Sequence, residues 1–250
     1  MIISPSAISP YKIPTFQSGG GAPPFSFGNA LQFDGVNDFV NFNDTYLNGK
    51  TVFTVNMWFY RENASTASRQ YIFWHGNFNN YGVSLGINFD TANKLGARAR
   101  NSGTEVSLIT TTSISINTWY FVSFVYDSVN DEHFLYLNGS LEDSSTVAAG
   151  SISARTAFGL GADISNPASL NFKFEGRTDE LSMGETALTL ANHQSLFNSG
   201  NGALATDIFT PDRYFRFDEE DGETTLIDTM GNQNGTLNNF STPPAYFIPH

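Results

Sequence analysis

Three acidic residues at alternate positions, Glu219, Asp221 and Glu223, have a spacing that could do chemistry. Alternate side chains of a strand share one face, and two carboxylates about 5 Å apart can hydrolyse a glycosidic bond with retention. The residues between them should then be apolar and face a core, but here they are Glu220 and Gly222. Glycine at this position indicates a turn. We therefore interpret the segment as a solvated acidic turn, predict no catalytic residues and expect a protein that is not an enzyme.

The four histidines, His75, His133, His193 and His250, are the next candidates for proton transfer or metal binding. They are far apart, and none has a metal-ligand spacing such as i, i+4 beside an acid. We expect each to be a surface histidine or one with internal hydrogen bonds. The sequence also contains no cysteine, which excludes thiolate catalysis, disulfides and cysteine-bound metal sites.

A segment rich in aromatic and amide side chains, residues 74–82 (WHGNFNNYG), is the candidate ligand-binding site. Sugars are bound by stacking on aromatic faces and by hydrogen bonds to amides. The alternative is that these aromatic residues are structural and cover the edge of the core. The predicted glycan-binding residues are Trp74, His75, Asn77, Phe78, Asn80 and Tyr81.

The charge balance excludes two classes of partner. There are 24 Asp and Glu residues against 12 Lys and Arg, so the formal net charge is −12. The basic residues are scattered singly, whereas nucleic-acid and membrane-surface binding need clustered positive charge. No apolar run approaches the about eighteen residues of a membrane-spanning helix. We therefore expect neither a nucleic-acid nor a membrane partner.

The elements that must position these residues are strands. From residue 30 to about 183, short apolar runs alternate with Asn, Gly, Ser and Asp clusters roughly every 8 to 15 residues, which is typical of an all-β sandwich. The last of these runs are residues 172–174 and 179–183. Asn138-Gly139 between two runs predicts a hairpin with a type I′ turn. The only helical segment is residues 190–197, with Thr189 as its cap and Gly200 as its stop.

The two ends of the chain differ from this pattern. Residues 1–29 contain half of the ten prolines and spaced apolar side chains, which predicts an extended arm. The arm either packs on its own domain or binds a partner, and it does not read as a secretory signal peptide. Residues 201–250 contain short strands and an apolar, Pro-rich tail. The predicted organisation is therefore an arm (1–29), a sandwich (30–200) and a C-terminal extension (201–250).

Five sequence markers in order carry a family resemblance. They are residues 30–42 (ALQFDGVNDFVNF), 53–59 (FTVNMWF), 72–85, 117–139 with NTWYFVSFVYD and LYLNG, and 174–200 with FEGRTDEL and LFNSG. The sequence resembles the laminin G-like, concanavalin A-like jelly-roll domains over residues 30–200. The resemblance implies an antiparallel β-sandwich jelly roll in which Trp58 and Trp119 are packing residues. Residues 214–240 resemble an element that often precedes such domains; here it is expected to supply an edge strand, form a small addition or pair with a neighbouring subunit.

The resemblance also implies a calcium ion between an early acidic loop and the last core strand. Its ligands would be Asp34, Asp38 and Asp179. The alternative is structural, because Asp-Gly pairs are turn formers and Asp34-Gly35 can simply cap a loop. Calcium is the only cofactor that we expect.

Two function hypotheses follow. The first is a non-enzymatic structural or adhesion module, a component of a phage virion such as a capsid decoration, fibre or tail-associated protein, with the lectin-like sandwich facing outward. Residues 1–29 and the C-terminal tail would then bind other virion or surface proteins, and we expect a homo-oligomer on a virion or extracellular surface. The alternative is a carbohydrate-binding module of a secreted or surface protein, with no glycoside hydrolysis expected.

Overall fold

The computed structural model of the protein describes residues 28–77, 80–101, 103–241 and 245–249. Residues 1–27 of the predicted arm lie outside the described residues. The strands are β1 (Asn29–Asp34), β2 (Phe39–Asn41), β3 (Val52–Arg61), β4 (Gln70–Asn77), β5 (Asn80–Ile87), β6 (Leu95–Arg100), β7 (Glu105–Ile109), β8 (Trp119–Asp127), β9 (Glu132–Leu137), β10 (Ser140–Ser145), β11 (Ala157–Leu160), β12 (Glu175–Gly184), β13 (Arg213–Phe215), β14 (Thr225–Leu226), β15 (Gly235–Asn238) and β16 (Phe247–Pro249). The helices are α1 (Leu190–Phe197) and α2 (Ala205–Ile208).

These strands form two antiparallel sheets that pack face to face. Sheet I has the order β10-β9-β8-β3-β12-β1-β16, and β13 also pairs with β12. Sheet II has the order β14-β15-β2-β11-β4-β5-β6-β7. The predicted all-β antiparallel sandwich is confirmed.

Alternation along the strands builds the core between the sheets. In β6, Leu95, Ala97 and Ala99 are fully buried and face inward. Sheet I supplies aromatic side chains to the same core, and the rings of Phe53 and Tyr126 stack at 5.1 Å on neighbouring strands. Aromatic and β-branched cross-strand pairs of this kind stabilise a sheet beyond the area they bury.

The outer face of sheet I is covered by the helices. Trp58 and Trp119 are buried there, as expected, with Leu188, Leu196 and Tyr214. The ring of Trp58 stacks on Phe197 of α1 at 5.7 Å. The helix begins where predicted, because Thr189 and Asn192 form a capping box. It ends at Phe197, as predicted, and Asn198 caps it in a left-handed conformation, so the predicted stop Gly200 is not the capping residue.

Residues 201–250 join both sheets of the same sandwich. Strand β13 pairs with β12 and β16 pairs with β1 in sheet I, while β14 and β15 extend sheet II beyond β2. Of the three arrangements left open for residues 214–240, the structure shows the first, since these residues supply strands to the domain's own sheets and β14 is the edge strand of sheet II.

The local predictions have two outcomes. The Asn138-Gly139 hairpin is confirmed, since both residues have positive φ (51° and 72°), as a type I′ turn requires. The predicted strand at residues 172–174 is wrong. Phe172 has φ 54°, which no regular strand accommodates, and the strand begins only at Glu175. None of the helices in the described ranges has the length and apolar character needed to cross a membrane.

Candidate ligand-binding cleft

The acidic pattern at residues 219–223 lies in a turn between β13 and β14. Its carboxylates accept backbone hydrogen bonds: Glu219 from the N–H of Ile227 at 2.8 Å and Asp221 from the N–H of Tyr246 at 2.9 Å. The residues hold the C-terminal segments in place and do not share a strand face. This geometry gives no paired carboxylates for hydrolysis.

Three of the four histidines are described, and each is buried with an internal partner. His75 Nε2 lies 2.9 Å from Asn48 Oδ1, and His133 Nε2 lies 2.9 Å from the carbonyl of Val147. His193 Nε2 lies 3.2 Å from the carbonyl of Leu188, just before α1. Burial lowers the pKa of His75 to about 3 and that of His193 to about 4, and it also lowers the pKa of His133. All three are therefore neutral at pH 7, and they lie in separate parts of the sandwich. His250 lies outside the described residues.

The described part of the predicted glycan segment makes structural contacts. Trp74 is 2% exposed and its indole N–H donates to Ser165 Oγ at 3.1 Å. His75 is fully buried, and Asn77 Oδ1 accepts from both the N–H and the hydroxyl of Thr156. Phe78 lies outside the described residues, as do the side chains of Asn80 and Tyr81. A glycan-binding role for the hairpin tip stays a prediction.

The three acids predicted to bind calcium are not brought together. Asp34 Oδ1 accepts from the N–H groups of Val36 and Asn37, and Asp38 Oδ2 accepts from the N–H of Asp34. Asp179 is fully buried on sheet I, where it lies opposite Trp58 of β3. Its neighbour Thr178 lies opposite Leu31, three residues along β1 from Asp34, or about 10 Å of strand. These residues do not fit one calcium ion, and no group of three or more acid or histidine side chains in the described ranges could hold a metal. Calcium binding by this chain stays a prediction.

Asp38 nevertheless has an unusual environment at the β1–β2 loop. Burial raises its pKa to about 6, and the nearby charge of Asp34 contributes. A small pocket beside both residues is bordered on its other side by Ala245 and Tyr246. The acids of this loop mainly fix its backbone, which in turn sets the position of Val36 and Asn37.

A larger cleft lies on the other side of the same loop, at one end of the sandwich. We call it the loop-end cleft; its volume is about 240 Å³. Its walls come from the β1–β2 loop, from the loop between β11 and β12, and from the residue after β15. The lining side chains are Val36, Asn37, Pro167, Ala168, Ser169, Leu170, Lys173 and Asn239.

The walls of the loop-end cleft are fixed by specific contacts. Asn239 Nδ2 donates to the carbonyl of Asn37 at 2.8 Å, which ties the strand β15 side to the β1–β2 loop. The opposite wall is anchored on the outer face of sheet II, where Ala162 and Ile164 pack with Trp74. Trp74 therefore positions the cleft wall through Ser165. Such anchoring lowers the entropy cost of ordering the wall around a ligand.

Three polar side chains in the loop-end cleft retain hydrogen-bonding capacity. Asn37 and Ser169 make no side-chain hydrogen bond, and Lys173 has no carboxylate within ion-pair distance, among the residues that the structure describes. Val36 adds an apolar surface that is 64% exposed. Amide, hydroxyl and ammonium groups beside an exposed aliphatic side chain match the polar edge and apolar face of a sugar ring. No spacing pattern in the sequence indicates these residues, since they come from two loops that are far apart in the chain.

A cluster of buried acids lies elsewhere, on the outer face of sheet I. Asp179 and Glu180 occupy a bulge of β12, where burial raises the pKa of Asp179 well above its usual range and that of Glu180 to about 8. The hydroxyl of Tyr214 donates to Glu180, and Arg216 Nε lies 3.6 Å from Glu180 Oε1. Both partners belong to the C-terminal extension. The cluster attaches the extension to the sheet and is covered by it.

The fold and the cleft define a lectin-type β-sandwich with a polar cleft at its loop end. The chain belongs to the Concanavalin A-like lectin/glucanases superfamily, because the laminin G family model matches residues 34–192. This finding confirms the family resemblance read from the sequence. Among curated protein sequences, none matches this chain.

Solved structures with the same fold include the following three, each of low sequence identity to this chain. A proposed carbohydrate binding protein from Bacteroides ovatus ATCC 8483 is 17% identical with a TM-score of 0.66; the match covers 86% of this chain and 59% of that protein, so this chain spans little more than half its length. A heptameric SAP-like pentraxin from Limulus polyphemus is 18% identical, with a TM-score of 0.56 over 82% of this chain and 98% of that one. The Ruminococcus gnavus IT-sialidase CBM40 bound to α2,3-sialyllactose is 15% identical, with a TM-score of 0.53 over 67% and 96%.

Proposed function

We propose that this chain is a carbohydrate-binding module without catalytic activity and that it binds sugar in the loop-end cleft. The observation that carries the proposal is the cleft itself, in which Asn37, Ser169 and Lys173 have no side-chain partner among the described residues and lie beside the exposed Val36. The volume of the cleft is about 240 Å³, which is smaller than the volume of pockets for drug-sized ligands, about 300–1,000 Å³. It would therefore hold one sugar ring or the end of a chain.

Two further observations support this function. The superfamily of this chain includes lectins, and two of the fold relatives have names that mention carbohydrate binding or a bound sialyllactose. The acidic residues that could suggest hydrolysis are used for backbone hydrogen bonds in a turn or are buried under the extension. A glycan ligand implies a secreted or surface-attached setting.

A glycan array followed by titration calorimetry of the strongest ligand tests this function. Ala168→Trp should abolish binding, because Ala168 is an exposed lining residue and an indole there would fill the cleft. Val36→Ala should weaken binding about fivefold through lost apolar contact. Val129→Ala is the matched control, since Val129 is 69% exposed on a different turn. Binding that survives Ala168→Trp would place the ligand elsewhere, and no binding to any glycan would overturn the function.

An assay for the release of reducing ends tests the absence of catalytic activity. The chain should release no reducing ends from any oligosaccharide that it binds, over a time in which a hydrolase would complete the reaction. Detection of product would show that the chain hydrolyses sugars, with the buried carboxylates or those of the turn as the catalytic groups, and would refute a purely binding role.

The hypothesis of a phage virion component with adhesion function stays a prediction. It requires association through residues 1–29 or the C-terminal tail, so light scattering should give a mass above 27.4 kDa for the full chain. If the association uses residues 1–29, a variant that begins at Asn29 should be monomeric. A full chain that is itself monomeric would remove the reason for this hypothesis.

A further inference from the structure

We infer that the loop-end cleft selects an acidic sugar, with Lys173 as the residue that recognises the negative charge. The inference rests on the proposed function, because it names the ligand class of the same cleft. It goes beyond that function by predicting discrimination between charged and neutral glycans.

Lys173 is the only charged residue among the described residues that line the cleft. It has no carboxylate within 4.0 Å in the described part of the chain, whereas Arg98, Arg213 and Arg216 each lie near two carboxylates. The chain has twice as many acidic as basic residues, so most cations find a partner. A cation that faces a cleft without one therefore provides charge for a ligand.

The acids nearest in sequence to the two walls are Asp38 and Glu175, and each accepts a hydrogen bond from another residue. Asp38 Oδ2 accepts from the N–H of Asp34 at 2.9 Å, and Glu175 Oε2 accepts from Asn63 Nδ2 at 2.7 Å. Neither acid forms an ion pair with Lys173 in the described part of the chain, and neither is among the described residues that line the cleft. Lys173 is thus the charged side chain that the described lining offers to a ligand, on a protein whose net charge is −12.

The remaining polar groups suit the same ligand. Asn37 and Ser169 can donate to the hydroxyls or to the second oxygen of an acidic group, while Lys173 contributes a charge-assisted hydrogen bond. Such bonds are about twice as strong as neutral ones. A sugar with a carboxylate or sulfate uses all three groups, but a neutral sugar leaves the ammonium without a counter-charge.

The experiment screens wild type, Lys173→Gln, Lys173→Arg and Lys94→Gln on one array with carboxylated, sulfated and neutral oligosaccharides. The strongest carboxylated ligand is then compared with its methyl ester by calorimetry, and the strongest sulfated ligand with its unsulfated form. Lys94 is the control because it is another lysine with no carboxylate within ion-pair distance in the described ranges, and it donates instead to the carbonyl of Thr111.

We expect the acidic form to bind about tenfold tighter than its neutral counterpart, with the preference lost in Lys173→Gln and kept in Lys173→Arg and Lys94→Gln. The carboxylate and sulfate comparisons show which acid is preferred. Strongest binding to neutral sugars, or a preference that survives Lys173→Gln, would overturn the inference and leave the binding module intact. No binding to any sugar would overturn the proposed function instead.

Discussion

Polar side chains have opposite environments on the covered face of sheet I and in the loop-end cleft. On sheet I, the polar groups at the bulge of β12 are buried, and the C-terminal extension supplies Tyr214 and Arg216 to meet Glu180. At the loop end, Asn37, Ser169 and Lys173 stay at the surface without internal partners among the described residues. Polar groups that the protein buries against its own side chains attach the extension to the fold, whereas polar groups that stay exposed in a cleft can bind a ligand.

The largest expected effect is a loss of stability from a change on the covered face of sheet I, with no change in sugar binding at the loop-end cleft. Trp58→Ala should lower the free energy of unfolding by about 3–5 kcal/mol, because a buried ring stacked between α1 and sheet I is lost. Urea unfolding measures this change. Sugar affinity at 15 °C, where the variant remains folded, should be unchanged. Leu141→Ala, at a residue 52% exposed on β10, should cost less than about 0.5 kcal/mol. A loss of affinity in folded Trp58→Ala would show that the two regions are coupled.

The second effect is a pH dependence from the buried acids. The pKa of Glu180 is about 8 when folded, above its ordinary value of 4.5, so the folded state binds the proton more tightly than the unfolded state. The stability contributed by protonation is therefore lost as pH rises through 8. Between pH 7 and pH 9 the free energy of unfolding should fall by about 1 kcal/mol.

Glu180→Gln should flatten this decline, because the amide does not ionise. Glu220→Gln, at an exposed acid in the neighbouring turn, should leave it unchanged. Urea unfolding at the two pH values measures both. The three buried histidines act in the opposite direction below pH 6.5, since folding lowers their pKa values and acid favours the unfolded chain. A stability that rises from pH 7 to pH 9 would contradict the role of Glu180.

The smallest effect tests how the cleft wall is held. Ser165→Ala removes the acceptor of the Trp74 indole N–H, which should cost about 1 kcal/mol of stability and weaken sugar binding about threefold. Ser107→Ala, at an exposed residue on the outer face of the same sheet, is the matched control and should change neither. Unchanged affinity in Ser165→Ala, measured by calorimetry, would show that the wall needs no support from Trp74.

The sandwich could be predicted from the sequence because its signals are local. Apolar alternation, the Asn138-Gly139 turn and the Thr189 cap each act within a few residues. The positions of β13 to β16 could not be predicted in this way. Their partners lie far away in sequence, as for β16 and β1, and nothing in a three-residue run specifies its pairing.

The candidate site was less predictable, for a geometric reason. The bulges between Tyr71 and Phe73 and between His75 and Gly76 shift the alternation of β4, so the face occupied by Trp74 does not follow from simple counting. The cleft residues Asn37, Lys173 and Asn239 come from loops that only the complete sandwich brings together. Their types are common in loops and carry no signal of their own.

The pairing of β16 with β1 also has a consequence for biosynthesis. Strand β16 (residues 247–249) is the edge strand of sheet I and pairs with β1 (residues 29–34). Strand β15 pairs with β2 in sheet II. Contacts this distant in sequence slow folding, because a long loop must close before they form. While β13 to β16 are still inside the ribosome, the part of the chain that has emerged is an incomplete sandwich with open edges. These edges need protection until the four strands emerge and pair.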